Sequence, residues 1–266
     1  RRPVIITHLA DSWPASRLWQ PKSITAPGPL GDATVLSSRT TLRSHFTTMM
    51  EHRAVDAAHD NMWDPTFFDN NEDWIDHYSV ERFFRDDMYD HSQEHAMEWR
   101  WMLLGPAQSG THWHRDPYNI SAWNAVVVGQ KLWAFYPHDR VRVPGLCDGH
   151  EPDAMCGWTP YRWFRERLPT LEPAERPQLC VQKAGEIMYI SGGLWHQVLN
   201  LGEPTMAVTQ NFVSRHNLRR TASGMSLETP SAAMASCAPT SQPVKRVMKL
   251  AMMATKSPAM NAASNA

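Results

Sequence analysis

The sequence predicts a mainly β fold, an antiparallel sandwich or barrel over residues 98–213, preceded by a helical and loop-rich segment over 1–97. Three observations carry this. Short strand-like runs recur at 100–105, 120–128, 131–136, 186–190, 194–200 and 205–212, bounded by Gly, Pro and Asn. The segment before them is acidic and aromatic, with one clear amphipathic stretch. After Ser214 the composition shifts to Ala, Ser, Met and Pro, with almost no aromatic residues.

Taken in order, PVIIT (3–7) reads as a short buried strand, and LADSWPASRLW (9–19) as a turn with a tryptophan-anchored loop. Residues 21–34, rich in Pro and Gly, read as a loop. Thr40 or Thr41 can cap a helix through LRSHFTTMMEHR. Residues 56–76 suit an ordered loop, and SVERFFRDDM (79–88) a short helix capped by Ser79. Between the strands, residues 137–180 hold many prolines, charges and tryptophans and read as an insertion with a helix near TPYRWFRERL. Residues 214–266 form a basic tail, expected to be disordered; in VKRVMKLAMMATK a short basic helix competes with an unstructured end.

The 266 residues allow one large or two small domains, and 42% hydrophobic residues can build a core. The chain begins at Arg1 rather than Met, as a segment of a longer protein would. The net charge of −1 argues against a dedicated nucleic-acid binder. Its distribution is uneven: residues 214–266 carry seven basic residues and one acid, which leaves −7 on residues 1–213. A negative body suits basic partners, Lys/Arg-rich peptides among them, or is simply a solvated surface. Four cysteines without a C-x-x-C pair fit a reduced, intracellular compartment, nucleus or cytoplasm. No apolar run approaches the ~18 residues of a membrane span.

The chemistry centres on GTHWHRDPYNISAWNAVVVGQK, residues 110–131. Residues two apart on a strand share a face, so His114 and Asp116 can point to one metal while Arg115 turns away. His196, in GGLWH, is a third candidate ligand. Two imidazoles and one carboxylate, with positions left open, form the facial triad of non-heme Fe(II) oxygenases. His112 keeps an alternative open, because a His112/His114 pair suits Zn or a cupin-type metal.

Strand register adds to this. If Gly129–Gln130 closes a two-residue hairpin, Val128 pairs with Lys131, and Asn124 and Lys131 share a face. If LGEP (201–204) is a four-residue loop, Asn200 pairs with Thr205 and His196 lies opposite Thr209. With both hairpins facing inward, a buried Lys131 needs an anionic partner, because an unpaired buried charge is costly. A dicarboxylate with one end on the metal and the other on Lys131 supplies it, and 2-oxoglutarate has that form.

Three segments, WRWMLLGPAQSGTHWHRDPYNISAWNAVVVGQKLWAFYP, GEIMYISGGLWHQVLNL and AVTQNF, resemble the Jumonji-C (JmjC) family. RPVIITHLADSWPA and FFRDDM look like its arginine demethylase/lysyl hydroxylase branch, once called phosphatidylserine-receptor-like. The resemblance spans residues 2–214 and is strongest over 98–136 and 185–213. It implies a double-stranded β-helix of the jelly-roll, cupin-like type, which uses Fe(II), 2-oxoglutarate and O2. By position, His114, Asp116 and His196 match the family's iron ligands. Lys131 matches the lysine that holds the far carboxylate of 2-oxoglutarate, and Thr111, Asn124 and Thr209 match residues lining that cosubstrate. Two positions depart from the pattern: Arg115 stands where an apolar residue is usual, and 61–65 lacks a tyrosine that contacts 2-oxoglutarate, so that Asn61 or a neighbouring aromatic fills the place.

The resemblance implies an oxygenase acting on a protein substrate, a lysyl hydroxylase in first place and an N-methyl demethylase in second. A JmjC oxygenase acting on RNA or a small molecule is a further reading, so nucleic acid stays open as a partner. An inactive scaffold is disfavoured because all three ligand positions and Lys131 are intact. A homodimer is compatible with the resemblance; a membrane partner is not expected.

Overall fold

The computed structural model describes residues 2–227 apart from 37, 52–60, 89–98, 141–142 and 145–157. Its centre is two antiparallel sheets packed face to face. The strands are β1 (Val4–Ile6), β2 (Thr34–Val35), β3 (Thr40–Thr41), β4 (Met62–Asp64), β5 (Arg100–Gly105), β6 (Gly110–His114), β7 (Ser121–Val128), β8 (Gln130–Tyr136), β9 (Gln178–Lys183), β10 (Ile187–Ile190), β11 (Trp195–Asn200) and β12 (Thr205–Phe212). One sheet has the order β1-β10-β7-β12-β5-β4 and the other β6-β11-β8-β9, while β2 and β3 pair by themselves. Alternation along each strand decides what lies between the sheets. Ala122, Met188 and Ile190 of the larger sheet join Trp133, Phe135 and Val198 of the smaller in one buried cluster. This is the double-stranded β-helix, with helices as minor elements.

Both outer faces are covered. Trp13, Trp19, Phe68 and Trp74 of the N-terminal segment pack with Met102, Trp123, Val208 and Phe212 on the back of the larger sheet. Each fully buried aromatic contributes roughly 1.5–3 kcal/mol, which is why this acidic segment folds onto the sheet. On the back of the smaller sheet, Trp113, Tyr136 and Trp195 meet Trp163, Phe164 and Leu171 of the insertion. Arg115 turns outward as expected, its guanidinium 4.6 Å above the Trp195 ring.

Several expectations hold locally. Leu42–Glu51 is helical, and Thr41 Oγ1 accepts the Ser44 amide at 3.2 Å, the capping bond of a helix start. Pro160–Arg162 opens a helical turn that continues through Trp163–Arg167. Other elements differ. The Pro-rich loop over 21–34 contains the short helices Pro21–Thr25 and Pro29–Asp32, each begun by a proline preset for the first helical position. Pro14–Leu18 is a helix as well. Residues 61–76 contain β4, the helix Phe67–Asn70 and a 3-10 turn Glu72–His77. SVERFFRDDM is not helical: Phe84 packs on Trp123 and Phe212, and the buried Asp87 accepts the Val213 amide at 3.1 Å. Tertiary anchoring overrides the local helical pattern there. The insertion also supplies β9, an edge strand that the composition of 137–180 conceals.

The folded part continues past 213. Leu218–Leu227 is helical, Asn217 and Thr221 are buried, and the helix packs against the turn Pro117–Asn119. The remaining tail, with VKRVMKLAMMATK, lies outside the described residues. Among the described residues no helix is long and apolar enough to cross a membrane.

The hairpin register requires correction. β7 and β8 do not pair: β7 lies between β10 and β12 in the larger sheet, and β8 between β11 and β9 in the smaller. β11 and β12 likewise belong to different sheets. Both connections are corners that carry the chain from one sheet to the other. Gly129, at φ 83°, makes the first corner, and a Cβ there would sit 2.5 Å from Pro204 O and 2.7 Å from Thr205 Oγ1 of the second. The two corners therefore press together with no room for a side chain. Gly129→Ala is expected to destabilise the fold by about 2 kcal/mol or more from backbone strain and overlap, read from urea unfolding midpoints, and to cost more than Gly28→Ala, where φ is 140° but a Cβ would meet nothing within 4 Å, so that strain acts without overlap.

Candidate metal centre

His114 and His196 end up directly opposite each other on β6 and β11. Their ring centroids are 4.0 Å apart. Asp116 follows β6, just before the turn Pro117–Asn119. Its Oδ1 lies 3.9 Å from His114 Nε2 and 4.0 Å from His196 Nε2. These gaps are too long for hydrogen bonds. One donor atom from each of the three residues falls within 4.8 Å of the others, as a shared cation requires. A metal bonded at about 2.0–2.2 Å to imidazole nitrogen and carboxylate oxygen draws such a set together.

The tautomers are prepared for this. His114 Nδ1 lies 2.7 Å from His112 O, and His196 Nδ1 lies 3.0 Å from Leu194 O. A carbonyl only accepts, so Nδ1 carries the proton and Nε2 keeps its lone pair toward the centre. Burial and the neighbouring His114 hold His196 well below the usual histidine range, in the neutral, ligating form. Burial pushes the Asp116 carboxyl up, and His114 pulls it partly back. The set is thus two imidazoles and one carboxyl group, and it fits Fe(II) by donor type.

His112 does not join them. The register between β6 and β11 shifts between His196 and Val198: His196 faces His114, while Val198 faces Thr111. One extra residue in β6 is a bulge, and it re-aims the side chains on either side of it. His112 Nδ1 lies 3.2 Å from Trp158 O, on the insertion side. The bulge also brings Thr111 into line with the ligand face, although strict alternation from His114 would turn it away. The His-x-His alternative is thereby closed.

The remaining candidates line the same interior. Asn124 and Thr209 are direct cross-strand partners in the larger sheet. Thr209 Oγ1 donates to Trp123 O at 3.0 Å, which fixes the hydroxyl. Asn124 is buried, and its Oδ1 has no hydrogen-bond partner among the described residues. Lys131 enters from the smaller sheet, paired with Asn200 on one side and Gln182 on the other. Asn124 and Lys131 therefore face each other from opposite walls, instead of sharing a hairpin face. Lys131 is 5% exposed, and burial alone brings its ammonium down to about 7. Between Lys131 and the metal set lies Trp133, its ring 6.0 Å from Lys131 Nζ and 6.0 Å from the His196 ring.

One residue that the sequence offered as an alternative and one that it did not reach complete the Lys131 end. Asn61, at the place of the missing tyrosine, accepts a hydrogen bond from Asn200 Nδ2 at 3.1 Å, and Asn200 also donates to Ser109 Oγ at 2.9 Å. Asn61 thus reaches the Lys131 end through Asn200. Gln182 is fully buried beside Lys131; it lies just past the insertion at 137–180, and only the pairing of β9 with β8 reveals it.

Lys131 has a testable cost. Its pKa is lower folded than unfolded, so the fold favours the neutral form. The penalty is full below about pH 7 and fades as pH rises from about 7 toward 10.5. Lys131→Met is expected to stabilise the metal-free protein at pH 6.5 by on the order of a few kcal/mol, with the advantage vanishing near pH 10, as read by urea unfolding at both pH values. An equal difference at the two values would contradict the uncompensated charge.

Residues 101–212 match the family model described as JmjC domain, hydroxylase. The chain is 32% identical over 226 residues to the lysine-specific demethylase JMJ21 of Arabidopsis thaliana, covering 82% of this chain and 24% of that protein. It is 33% identical over 225 residues to the arginine-specific demethylase JMJ22 of the same plant, covering 82% and 43%. It is 32% identical over 233 residues to the bifunctional arginine demethylase and lysyl-hydroxylase psr-1 of Caenorhabditis elegans, covering 82% and 57%. The chain thus spans from about a quarter to just over half the length of these relatives. With the double-stranded β-helix and the His114–Asp116–His196 set inside it, the chain belongs to the JmjC family.

Proposed function

We propose that this chain is an Fe(II)- and 2-oxoglutarate-dependent dioxygenase that hydroxylates side chains of a protein substrate, in the manner of a lysyl hydroxylase. The observation that carries it is a buried lysine without an ion-pair partner among the described residues, set on the same inward face of the smaller sheet as the metal-binding histidines. When bound, Fe(II) and 2-oxoglutarate supply the oxidation: O2 is consumed, one oxygen atom goes to a substrate C–H bond, and succinate and CO2 leave. The chain's residues do the rest. His114, Asp116 and His196 hold the metal through three atoms and leave positions open. Lys131 holds the far carboxylate and takes up a proton as that anion arrives. Asn124 and Thr209 line the cosubstrate's space from the larger sheet, and Thr111 from the smaller. Trp133 and Phe135, stacked 5.5 Å apart, keep water from the space between.

The substrate reading rests on charge and kinship. A net of −7 on residues 1–213 favours a Lys/Arg-rich polypeptide. The names of the relatives, lysine- and arginine-specific demethylases and a lysyl-hydroxylase, favour N-methyl demethylation as the second reading. The two differ only in which carbon is oxidised. On an N-methyl carbon the hydroxylated product collapses to formaldehyde and the free amine; on a side-chain CH2 the hydroxyl remains.

The test is succinate release with Fe(II), ascorbate and 2-oxoglutarate, with and without basic peptides. His114→Ala is expected to lower turnover at least about 100-fold through loss of metal, and no succinate above that control would sink the oxygenase reading. Peptide mass spectrometry then separates gain of one oxygen from loss of CH2 with formaldehyde.

A further inference from the structure

Gln182 is a buried polar side chain that joins the two walls of the site. It is 0% exposed and stands on β9, directly across from Lys131. Its Oε1 accepts the Trp133 indole N–H at 2.8 Å. Its Nε2 donates to Asn124 O at 2.7 Å and to Glu186 O at 2.9 Å. The amide orientation is determined by these partners: one faces it as a donor and two as acceptors, so the reverse orientation would oppose like groups in all three contacts. Trp133 belongs to the smaller sheet and Asn124 to the larger. One amide therefore ties the indole that runs between Lys131 and His196 to the strand that carries Asn124.

We propose that Gln182 is a positioning residue that sets the spacing between the Lys131–Trp133 wall and Asn124, and thereby the affinity for 2-oxoglutarate. It does not touch the metal set, whose ligands lie on β6, on β11 and in the turn after β6. The inference rests on the reading of Lys131 and Asn124 as the cosubstrate's anchors. A role confined to stability would lower the unfolding midpoint and leave the affinity of the folded protein unchanged. A positioning role splits the two binding constants, weakening 2-oxoglutarate and sparing the metal.

Gln182→Glu is the sharpest variant. It keeps the acceptor for the indole, removes both donors, and places a carboxylate across from Lys131 where it competes with the ligand. Calorimetry on Mn(II)-loaded protein, which binds the cosubstrate without turnover, is expected to give a 2-oxoglutarate Kd raised about 10-fold or more through lost and mismatched hydrogen bonds, with the Mn(II) Kd within about twofold. Trp133→Phe keeps an aromatic ring and removes the indole N–H, which serves where Gln182→Glu folds poorly. Trp133→Phe removes the indole end of this tie and Gln182→Glu the end on Asn124 O and Glu186 O, so the two effects should combine non-additively. Unchanged 2-oxoglutarate affinity in both folded variants would overturn the proposal while leaving the parent reading intact. Absence of 2-oxoglutarate binding by the wild-type protein with Mn(II) would overturn the parent reading, and this one with it.

Discussion

A lysine ammonium shut between two sheets, with no carboxylate paired to it among the described residues, is the constraint on which the rest of this structure depends. A collapsed or flexible barrel would expel Lys131 or let water in, and either would end the penalty that burial imposes on it. The surrounding fold prevents both. Its outer faces are sealed by aromatic clusters, and its corners at Gly129 and Gly202 are too close for side chains. Stability is thus held in reserve against a ligand that brings the missing negative charge. The interior is preorganised for an anion, and an anion that reaches toward the metal satisfies both ends at once.

The metal end follows the same logic with different groups. His114 and His196 are oriented by backbone carbonyls close by in sequence, so their geometry depends on β6 and β11 staying paired. Asp116 sits where the strand stops and Pro117 turns the chain. The next two residues, Tyr118 and Asn119, hold positive φ values of 55° and 53°. Non-glycine residues adopt that conformation only when the surroundings compel it. The helix Leu218–Leu227 packs on this turn, and Gly192 on the approach to His196 lies against Asn119 with no space for a Cβ. Two ligand-bearing segments far apart in sequence are held by one contact.

Much of this is legible in the sequence, and for identifiable reasons. His114, Asp116 and His196 are polar residues in or beside apolar strands, a pattern that burial makes expensive unless they serve a common purpose. Lys131 stands out in the same way. Pairing is not legible. SAWNAVVV and QKLWAFY, separated by a glycine, fit a hairpin or a corner equally well, and alternation alone does not distinguish them. The signal against a hairpin is that β7 is buried on both faces along nearly its whole length, as a strand inside two layers must be. Thr111 is placed by resemblance; parity would reject it, because a bulge is invisible to alternation. The prolines and charges that precede Gln178 hide the start of β9, and with it Gln182. The helix Leu218–Leu227 escapes sequence reading because it opens a segment whose composition, poor in aromatic residues, reads as a tail.

The division of labour between the sheets bears on what the protein discriminates. β11 pairs with both β6 and β8, so one sheet sets the distance from the metal ligands to Lys131. Asn124 and Thr209 come from the other sheet, and Gln182 with Trp133 joins the two. On the proposed reading each of these inward polar groups serves the metal or the cosubstrate. None of them distinguishes a methyl carbon from a methylene carbon of the substrate, since both present the same C–H bond to the same centre. On the proposed reading, selection between the two carbons falls to residues outside this set. A change in the interior should alter how fast the protein reacts with every substrate, and a change in those residues should alter which carbon it reaches.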